Sequence, residues 1–406
     1  MSTNELCHMF EIWGYTFIDL KRKEGRIEMV ISQNPKTLRC PACHSRHVIR
    51  RGTYPRRFRG IPVGRTPVDI VLDVVRVECQ DCGVVRQVEV KFAEERRSYT
   101  RAFERLALDL SKSMTIDGVA RYLGVSWDLI KDIQKRSLGR RFRRIKLKRL
   151  RYIAVDEICV GHGHRYLTVV LDLVSGAVVF VGDGKGADAL EPFWRRLRRA
   201  GARIKAVAMD MSPAYIGAVT THLPKAAIVF DHFHVIKLFN EKLTELRRAL
   251  YREAKDLQQK KVLKGTRWLL LKNPENLSED GEEEKRLQEA LRLNEPLALA
   301  YYLKEDLRQV WEQYDKKGAR AVLQDWIRRA EASGVRILVQ FAHTLAAHRT
   351  GLLAFYDHNA ISTGPLEGTN TKIRVLQHNS YGFRDMEFFK LKIYALHEAK
   401  LELVGG

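Results

Sequence analysis

Tyr152-Ile153-Ala154-Val155-Asp156-Glu157 and Ala206-Val207-Ala208-Met209-Asp210 are two short apolar runs, each closed by an aspartate. Apolar runs this short and bounded by polar residues read as buried strands; a helix needs a longer periodic pattern. Around them the chain alternates in a definite order. Strands are expected at 152–158, 166–173, 177–183, 204–210 and 226–231, and helices at 187–200 and 212–222. The first three strands read as a meander, turning at Val160–His164 and at Val174-Ser175-Gly176. The later strands alternate with helices, which requires parallel crossovers.

This is the element order of a ribonuclease-H-like α/β core. In such a sheet the first and fourth strands are parallel neighbours, ~4.8 Å apart. Asp156 and Asp210 then stand close enough to share a cation. A third acid, Glu367, lies far downstream in Gly364-Pro365-Leu366-Glu367-Gly368-Thr369-Asn370. Hard oxygen ligands suit Mg²⁺ (or Mn²⁺), and a pair of such ions promotes in-line phosphoryl transfer. Each acid has a competing reading. Glu157 follows Asp156 and would point to the opposite face of the strand. Asp172 and Asp183 also end strands. Asp210 suits the cap of a helix starting at Ser212-Pro213. Glu367 suits the first turn of a helix, where the dipole favours an acid.

Lys and Arg outnumber Asp and Glu by 71 to 49, a formal charge of +22. That excess favours a polyanionic partner, nucleic acid or an acidic membrane surface, over a merely solvated exterior. No stretch approaches the ~20 apolar residues that span a bilayer. Met1 to Leu20 has no secretory pattern, so a cytoplasmic location is expected, with thiols kept reduced. Two CxxC pairs, Cys40-Pro41-Ala42-Cys43 and Cys79-Gln80-Asp81-Cys82, therefore read as the four thiolates of one structural zinc. His44 and His47 are alternative ligands; lone Cys7 and Cys159 read as packing residues. Ahead of the first pair, strands are expected at Tyr15–Leu20 and Arg26–Ile31.

Residues 101–136 read as helical, and Thr115-Ile116-Asp117-Gly118-Val119-Ala120-Arg121-Tyr122-Leu123-Gly124-Val125-Ser126 has a helix-turn-helix pattern. Ala120 lets two helices approach, Gly124 suits the turn, and Ser126 can cap the next helix. That helix carries Lys131, Lys135 and Arg136 and could enter a major groove; the alternative is an ordinary helical hairpin. A basic run with Arg140, Arg141, Arg143 and Arg144 could track phosphates, or serve only as a solvated connector. The expected boundaries are a β-rich zinc ribbon at 1–98, the helix-turn-helix at 99–138 and a basic linker at 139–151. The core follows at 152–235, a helical insertion at 236–355 and the core's completion at 356–406.

Further candidates surround these acids. His232 and His234 follow the fifth strand and could touch substrate or be satisfied locally. Asn370 shares a helix face with Glu367. Lys372, Arg374 and Arg384 suit phosphate contacts. Trp268, Trp311 and Trp326 fall in the insertion, where core packing is the default and stacking on a flipped base is the alternative. Breaks in the insertion are expected near Asn273-Pro274 and at Ser278-Glu279-Asp280-Gly281.

Taken in order, these motifs resemble the ISL-three family of insertion-sequence transposases. The resemblance runs through the two CxxC pairs, the helix-turn-helix and Ile153-Ala154-Val155-Asp156-Glu157. It continues in Met209-Asp210-Met211-Ser212, Asp231-His232-Phe233-His234-Val235, Arg267-Trp268-Leu269-Leu270-Leu271-Lys272-Asn273 and Leu366-Glu367-Gly368-Thr369-Asn370. It implies a transposase in which Asp156, Asp210 and Glu367 form a DDE triad holding two divalent cations, and it selects Asp156 over Glu157. It also implies binding of double-stranded transposon ends and target DNA by an oligomer of at least two subunits. Ser362-Thr363-Gly364-Pro365 departs from the family pattern, which has Ser-Asn or Thr-Asn before the glutamate. The competing functions are a DNA-binding regulator on the same scaffold and a structure-selective nuclease.

Overall fold

The computed structural model describes residues 9–161, 164–278, 281–358, 361–401 and 403–404. Cys7, His162 and Gly163 of the first expected turn, Glu279 and Asp280 of the acidic stretch, and Glu402 lie outside these residues. The chain divides into two compact units, Met1–Arg143 and Arg144–Gly406. Among the described residues, no helix is long and apolar enough to cross a membrane.

The first unit opens with strands β1 (Tyr15–Lys23), β2 (Arg26–Gln33), β3 (Val48–Arg59), β4 (Val68–Cys79) and β5 (Val85–Gln87). Their order is β1-β2-β4-β3, with β5 also on β4. Alternate β4 residues Val68, Ile70, Leu72 and Val74 are buried together with Met29, Ile31 and Phe58. Buried Asp69 is ringed by Arg26, Arg57 and Arg59 at 3.2 to 3.3 Å. Arg59 also donates to the carbonyls of Leu123 and Gly124, at 3.2 and 2.8 Å, tying the sheet to the helices that follow.

Those helices are α1 (Arg101–Leu110), α2 (Ile116–Leu123) and α3 (Trp127–Phe142). Thr115 and Ser126 cap α2 and α3 through their hydroxyls, and Gly124 between them takes the left-handed conformation at φ 61°. Val119, Ala120, Leu123, Ile130 and Ile133 form their shared core with Phe103 and Ala107. The basic run 139–151 spans the boundary between the two units. Its first residues complete α3, and Leu147 and Leu150 are buried in the core of the second unit. Ile145, Leu147 and Leu150, spaced two and three apart, carry this stretch inward despite the charge between them.

The second unit is mixed α/β. Strands β6 (Tyr152–Gly161), β7 (Arg165–Asp172) and β8 (Val178–Asp183) form the antiparallel meander. Helix α4 (Ala187–Ala200) leads to β9 (Ala206–Met209), and α5 (Pro213–His222) leads to β10 (Ala227–Phe230). The sheet order is β10-β9-β6-β7-β8, with β9 parallel to both neighbours. Strand alternation separates two faces. Ile153, Val155, Val207 and Met209 pack against Leu190, Phe193 and Trp194 of α4 and Tyr215 and Val219 of α5. Ala154, Ile158 and Ala208 pack against Leu366 and Ile373 of α13 (Gly364–Asn379) and Phe389 and Ile393 of α14 (Met386–Ala395).

Between these layers the chain inserts α6 (His232–Glu253), α7 (Leu257–Gly265), α8 (Glu282–Leu293), α9 (Glu295–Arg308), α10 (Lys316–Ala332), α11 (Arg336–Ala347) and short α12 (Arg349–Leu353). Helix α6 starts at the sheet edge, earlier than the expected boundary at 236, and carries Val235, Phe239 and Leu243 into the common core. Trp326 is fully buried there and donates to the Leu303 carbonyl at 2.7 Å. Cys159 departs from the expected packing role: it is exposed, on the open end of β6.

Gly182 on β8 lies against the Ala189 carbonyl of α4, leaving no room for a Cβ. Gly182→Ala is expected to destabilise the protein by roughly 1–3 kcal/mol through this overpacking. Gly217→Ala, with nothing within 4 Å of the added carbon, should be neutral or slightly stabilising. Urea denaturation of both variants checks this.

Candidate functional site

In β6 and β9 the register pairs Ala154 with Ala208. Asp156 and Asp210 each follow two residues later, so both belong to the face covered by α13. Glu157 faces the other way, where its carboxylate accepts from the Tyr215 hydroxyl at 3.1 Å. Asp172 is spent on the β7–β8 turn, accepting from Val174 and Ser175 at 3.2 Å. Asp183 is paired with Lys390.

Helix α13 packs on β6 and delivers two residues to the acids. Glu367 sits in its first turn and is exposed. Asn370, one turn on and buried, donates its amide to Asp156 Oδ2 at 2.8 Å. The expectation of Asn370 as a substrate contact therefore changes: its side chain is turned to Asp156. Asp156 Oδ1 accepts the Glu157 N–H at 2.8 Å, and Asp210 Oδ1 accepts the Ser212 N–H at 3.0 Å.

A fourth acid joins them. Asp231 ends β10 as Asp156 ends its apolar run, and its side chain is fully buried. It accepts from His234 Nδ1 at 3.0 Å and from the Thr363 N–H, just before α13, at 3.3 Å. Ligand atoms of Asp231, His234 and Glu367 lie within 4.8 Å of one another. This tight grouping was not foreseen, although the signal was present: Ala226-Ala227-Ile228-Val229-Phe230-Asp231 repeats the strand-then-aspartate pattern. His232, by contrast, turns among Phe233, Trp311 and Phe355.

The charges interact. Burial, with Asp210 and Glu157 adding repulsion, pushes Asp156 up to about 6. Burial would also raise Asp231, but the bonds from His234 and Thr363 outweigh it and the net shift is downward. The Asp231 bond, then the nearby Asp156 and Asp210, raise His234. Burial lowers His232. Asp156 and Asp210 lie outside the tight grouping of Asp231, His234 and Glu367, but near its His234, and oxygen ligands of this kind suit a hard divalent cation.

The four cysteines meet in the first unit. Cys40 and Cys82 sulfurs are 3.6 Å apart, Cys43 and Cys79 sulfurs 3.5 Å, and all four lie within 4.8 Å. A tetrahedron of Zn–S bonds of ~2.3 Å sets sulfurs about 3.8 Å apart, so the cluster fits zinc. His44 and Gly83 after each pair take positive φ, 60° and 69°, turning both knuckles alike. His47 is bonded to Asp81 instead of joining the sulfurs.

The basic candidates divide. Lys131 lies 5.4 Å from the exposed Trp127 ring on α3. Arg136 is turned inward, bonded to Glu94 and Asp132 at 3.1 Å and to the Tyr99 hydroxyl. Arg140 is paired with Glu104 at 2.7 Å and with Glu94. For these two, acids brought close by folding are the partners in this structure. Lys135 is half-buried, and Arg141, Arg143 and Arg144 are exposed. Lys372 and Arg374 are exposed on α13, Lys372 lying 3.4 Å from His397. Trp268 is exposed on the insertion, beneath the Arg267 guanidinium.

Three family models match in succession. Residues 36–82 match the zinc-finger of transposase IS204/IS1001/IS1096/IS1165, and 88–138 the helix-turn-helix domain of transposase family ISL3. Residues 153–393, more than half of the chain, match the DDE transposase domain of ISL3. This chain belongs to the ISL3 family of transposases. The transposase for insertion sequence element IS1001 of Bordetella parapertussis is 31% identical over 94% of this chain and 95% of its own length. That for IS1557 of Mycobacterium tuberculosis is 30% identical over 82% of this chain and 80% of its own. Among solved structures, the Drosophila P element transposase strand transfer complex covers 77% of this ISL3 chain and 95% of its own, at 13% identity and a TM-score of 0.40. The ISL3 transposase thus carries a zinc ribbon, a helix-turn-helix and a DDE domain.

Asp156 sits at about 6 in the metal-free fold, against an ordinary 3.8. Between those values the folded protein binds more protons, so stability falls as pH rises and is flat above. Asp156→Asn should therefore be the more stable protein by on the order of 1–3 kcal/mol at about pH 8, and equal near pH 4, in urea denaturation without magnesium. The same difference at both pH values would refute the assignment. Elemental analysis should find one zinc per chain, lost in a Cys40→Ser, Cys43→Ser variant.

Proposed function

We propose that this chain is an active transposase of an insertion sequence, cutting DNA at the element's ends and joining the freed ends to target DNA. The observation that carries the proposal is the pair of aspartates, Asp156 within β6 and Asp210 just after β9, on the sheet face covered by the helix that bears Glu367. The strand order β10-β9-β6-β7-β8 supports a ribonuclease-H-like core. Asp156, Asp210 and Glu367 would hold two Mg²⁺ (or Mn²⁺) ions. Bound there, these ions supply activation of a water or 3′-hydroxyl and stabilisation of the leaving 3′-oxygen.

The chain's own residues have separable parts in this. Asn370 orients the Asp156 carboxylate. Buried Asp231 fixes the ring of His234 beside the acids. Lys372 and Arg374 on the exposed side of α13 suit phosphate contacts beyond the cut.

The proposed divisions are a zinc ribbon at 1–98, a helix-turn-helix at 99–138, a basic segment at 139–151, a core at 152–235 completed by 356–406, and the insertion at 236–355. Ribbon and helix-turn-helix would bind the terminal inverted repeats, with Lys131, Lys135, Arg141, Arg143 and Arg144 as contacts. Joining two ends calls for at least two copies of the chain on DNA. The cytoplasm is the proposed site of action.

Asp156→Asn, Asp210→Asn and Glu367→Gln are each expected to lower cleavage and strand transfer by 10²-fold or more, roughly the loss seen when a transition-state contact is removed. Binding to the element's ends should persist. The assay is Mg²⁺-dependent cleavage and joining on DNA carrying those ends. Binding without cutting by the unaltered protein would favour a regulator; cutting without joining, a nuclease.

A further inference from the structure

Helix α13 presents one exposed stripe. Glu367, Thr371, Arg374 and His378 recur at intervals of four, three and four residues, so they share one side of the helix. All four are exposed, while Leu366, Thr369 and Ile373 turn inward and are buried. Followed one step past the helix end, the stripe reaches Tyr381, which is fully exposed. From Glu367 to Tyr381 is about 20 Å, at ~1.5 Å per residue.

Tyr381 is held where a tyrosine is unfavourable. Its φ is 50°, in the left-handed region that glycine usually fills just after a helix. Its N–H donates to the His378 carbonyl at 3.1 Å, and that of Gly382 to the Gln377 carbonyl at 3.0 Å. The Gln377 side chain donates to the Val160 carbonyl of β6, and Phe383 stacks on Phe389 at 4.5 Å. The turn is thus fixed on both flanks while the ring at its apex buries nothing. Neither backbone preference nor packing within the chain accounts for a tyrosine there, which leaves a partner outside it.

The partner that fits is a duplex. Arg374 and His378 offer donors to phosphates, and a rigid exposed aromatic has the shape of a wedge between base pairs. A duplex laid along the stripe with one phosphate at the acids meets Tyr381 about six base pairs away, at ~3.4 Å per pair. Such a wedge responds to how easily a base step unstacks and reads no base edge, which suits DNA whose sequence is not fixed. We propose that the α13 stripe is a docking surface for target DNA. Arg374 and His378 contact its phosphates, and Tyr381 inserts at a base step about six pairs from the joined phosphate. The proposal rests on the strand transfer proposed above.

The test uses the full-length protein with its zinc retained. Tyr381→Ala and Tyr381→Trp both keep a Cβ in the left-handed turn, so both should melt at the temperature of the unaltered protein. A lower melting temperature for Tyr381→Ala would mean that the ring serves the fold, and would overturn the proposal. Tyr381→Ala should lower joining to a short intact duplex about tenfold more than it lowers cleavage at the element's ends, while Tyr381→Trp keeps most of the joining. A target duplex with one mismatch, whose stack is already loosened, should restore joining by Tyr381→Ala, at sites about six pairs from the mismatch. A second readout needs no joining. With pre-cut ends and no magnesium, 2-aminopurine beside a TA step of the target should brighten with the unaltered protein and stay quenched with Tyr381→Ala. Equal losses of cleavage and joining, or no rescue by the mismatch, would overturn the proposal. The two proposals fail separately. If the unaltered protein neither cuts nor joins, the transposase activity falls; a brightening that Tyr381→Ala abolishes then keeps the wedge, and no brightening removes it too. If the protein cuts and joins while Tyr381→Ala joins the intact duplex equally well, the wedge alone falls.

Discussion

The parallel pairing of β6 with β9 is the constraint on which the second unit depends. Its register, Ala154 opposite Ala208, places Asp156 and Asp210 on the same sheet face. A shift of one residue would send one of them to the opposite face, toward Tyr215 and α4. The register is kept by what lies on either side: large apolar residues toward α4 and α5, small alanines toward α13. Ala154 and Ala208 leave the space into which Leu366 of α13 packs, and that packing brings Glu367 to the same edge.

Gathering carboxylates in this way opposes folding, and the surrounding groups answer it locally. Asp156 takes N–H donors from Glu157 and Asn370, Asp210 from Ser212, Asp231 from Thr363 and His234. Two of these donors, Ser212 and Thr363, stand just before the N-termini of α5 and α13, where helix dipoles favour negative charge. The raised Asp156 shows that the compensation is incomplete.

The first unit is organised by a different means. A sheet with little to bury on its outer strands is fixed by four thiolates at one end and by Asp69 with its arginines at the other. Arg59 carries that second anchor to the turn of the helix-turn-helix. Charge here acts within the unit as well as outward, which is why Arg136 and Arg140 are partnered by acids.

Local periodicity was enough to locate the meander, the crossover helices, the two CxxC knuckles and the Gly124 turn, because each rests on neighbours within a few residues. The place of Asp210 just after a strand was legible for the same reason; Asp156, expected at a strand end, lies inside β6, which runs on to Gly161, and the family resemblance supplied the match to Glu367. Asp231 was passed over because its partners, His234 and Thr363, are separated in sequence: only the packing of α6 and α13 at one edge joins them. The inward turn of Arg136, the exposure of Cys159 and the pairing of Asn370 with Asp156 were likewise invisible. Local patterns along the chain were enough for the elements and for the supply of acids, thiols and basic residues. Tertiary structure decided which of those charged groups face each other, because contact between residues far apart in the chain is set by sheet register and helix packing, and no local pattern encodes it.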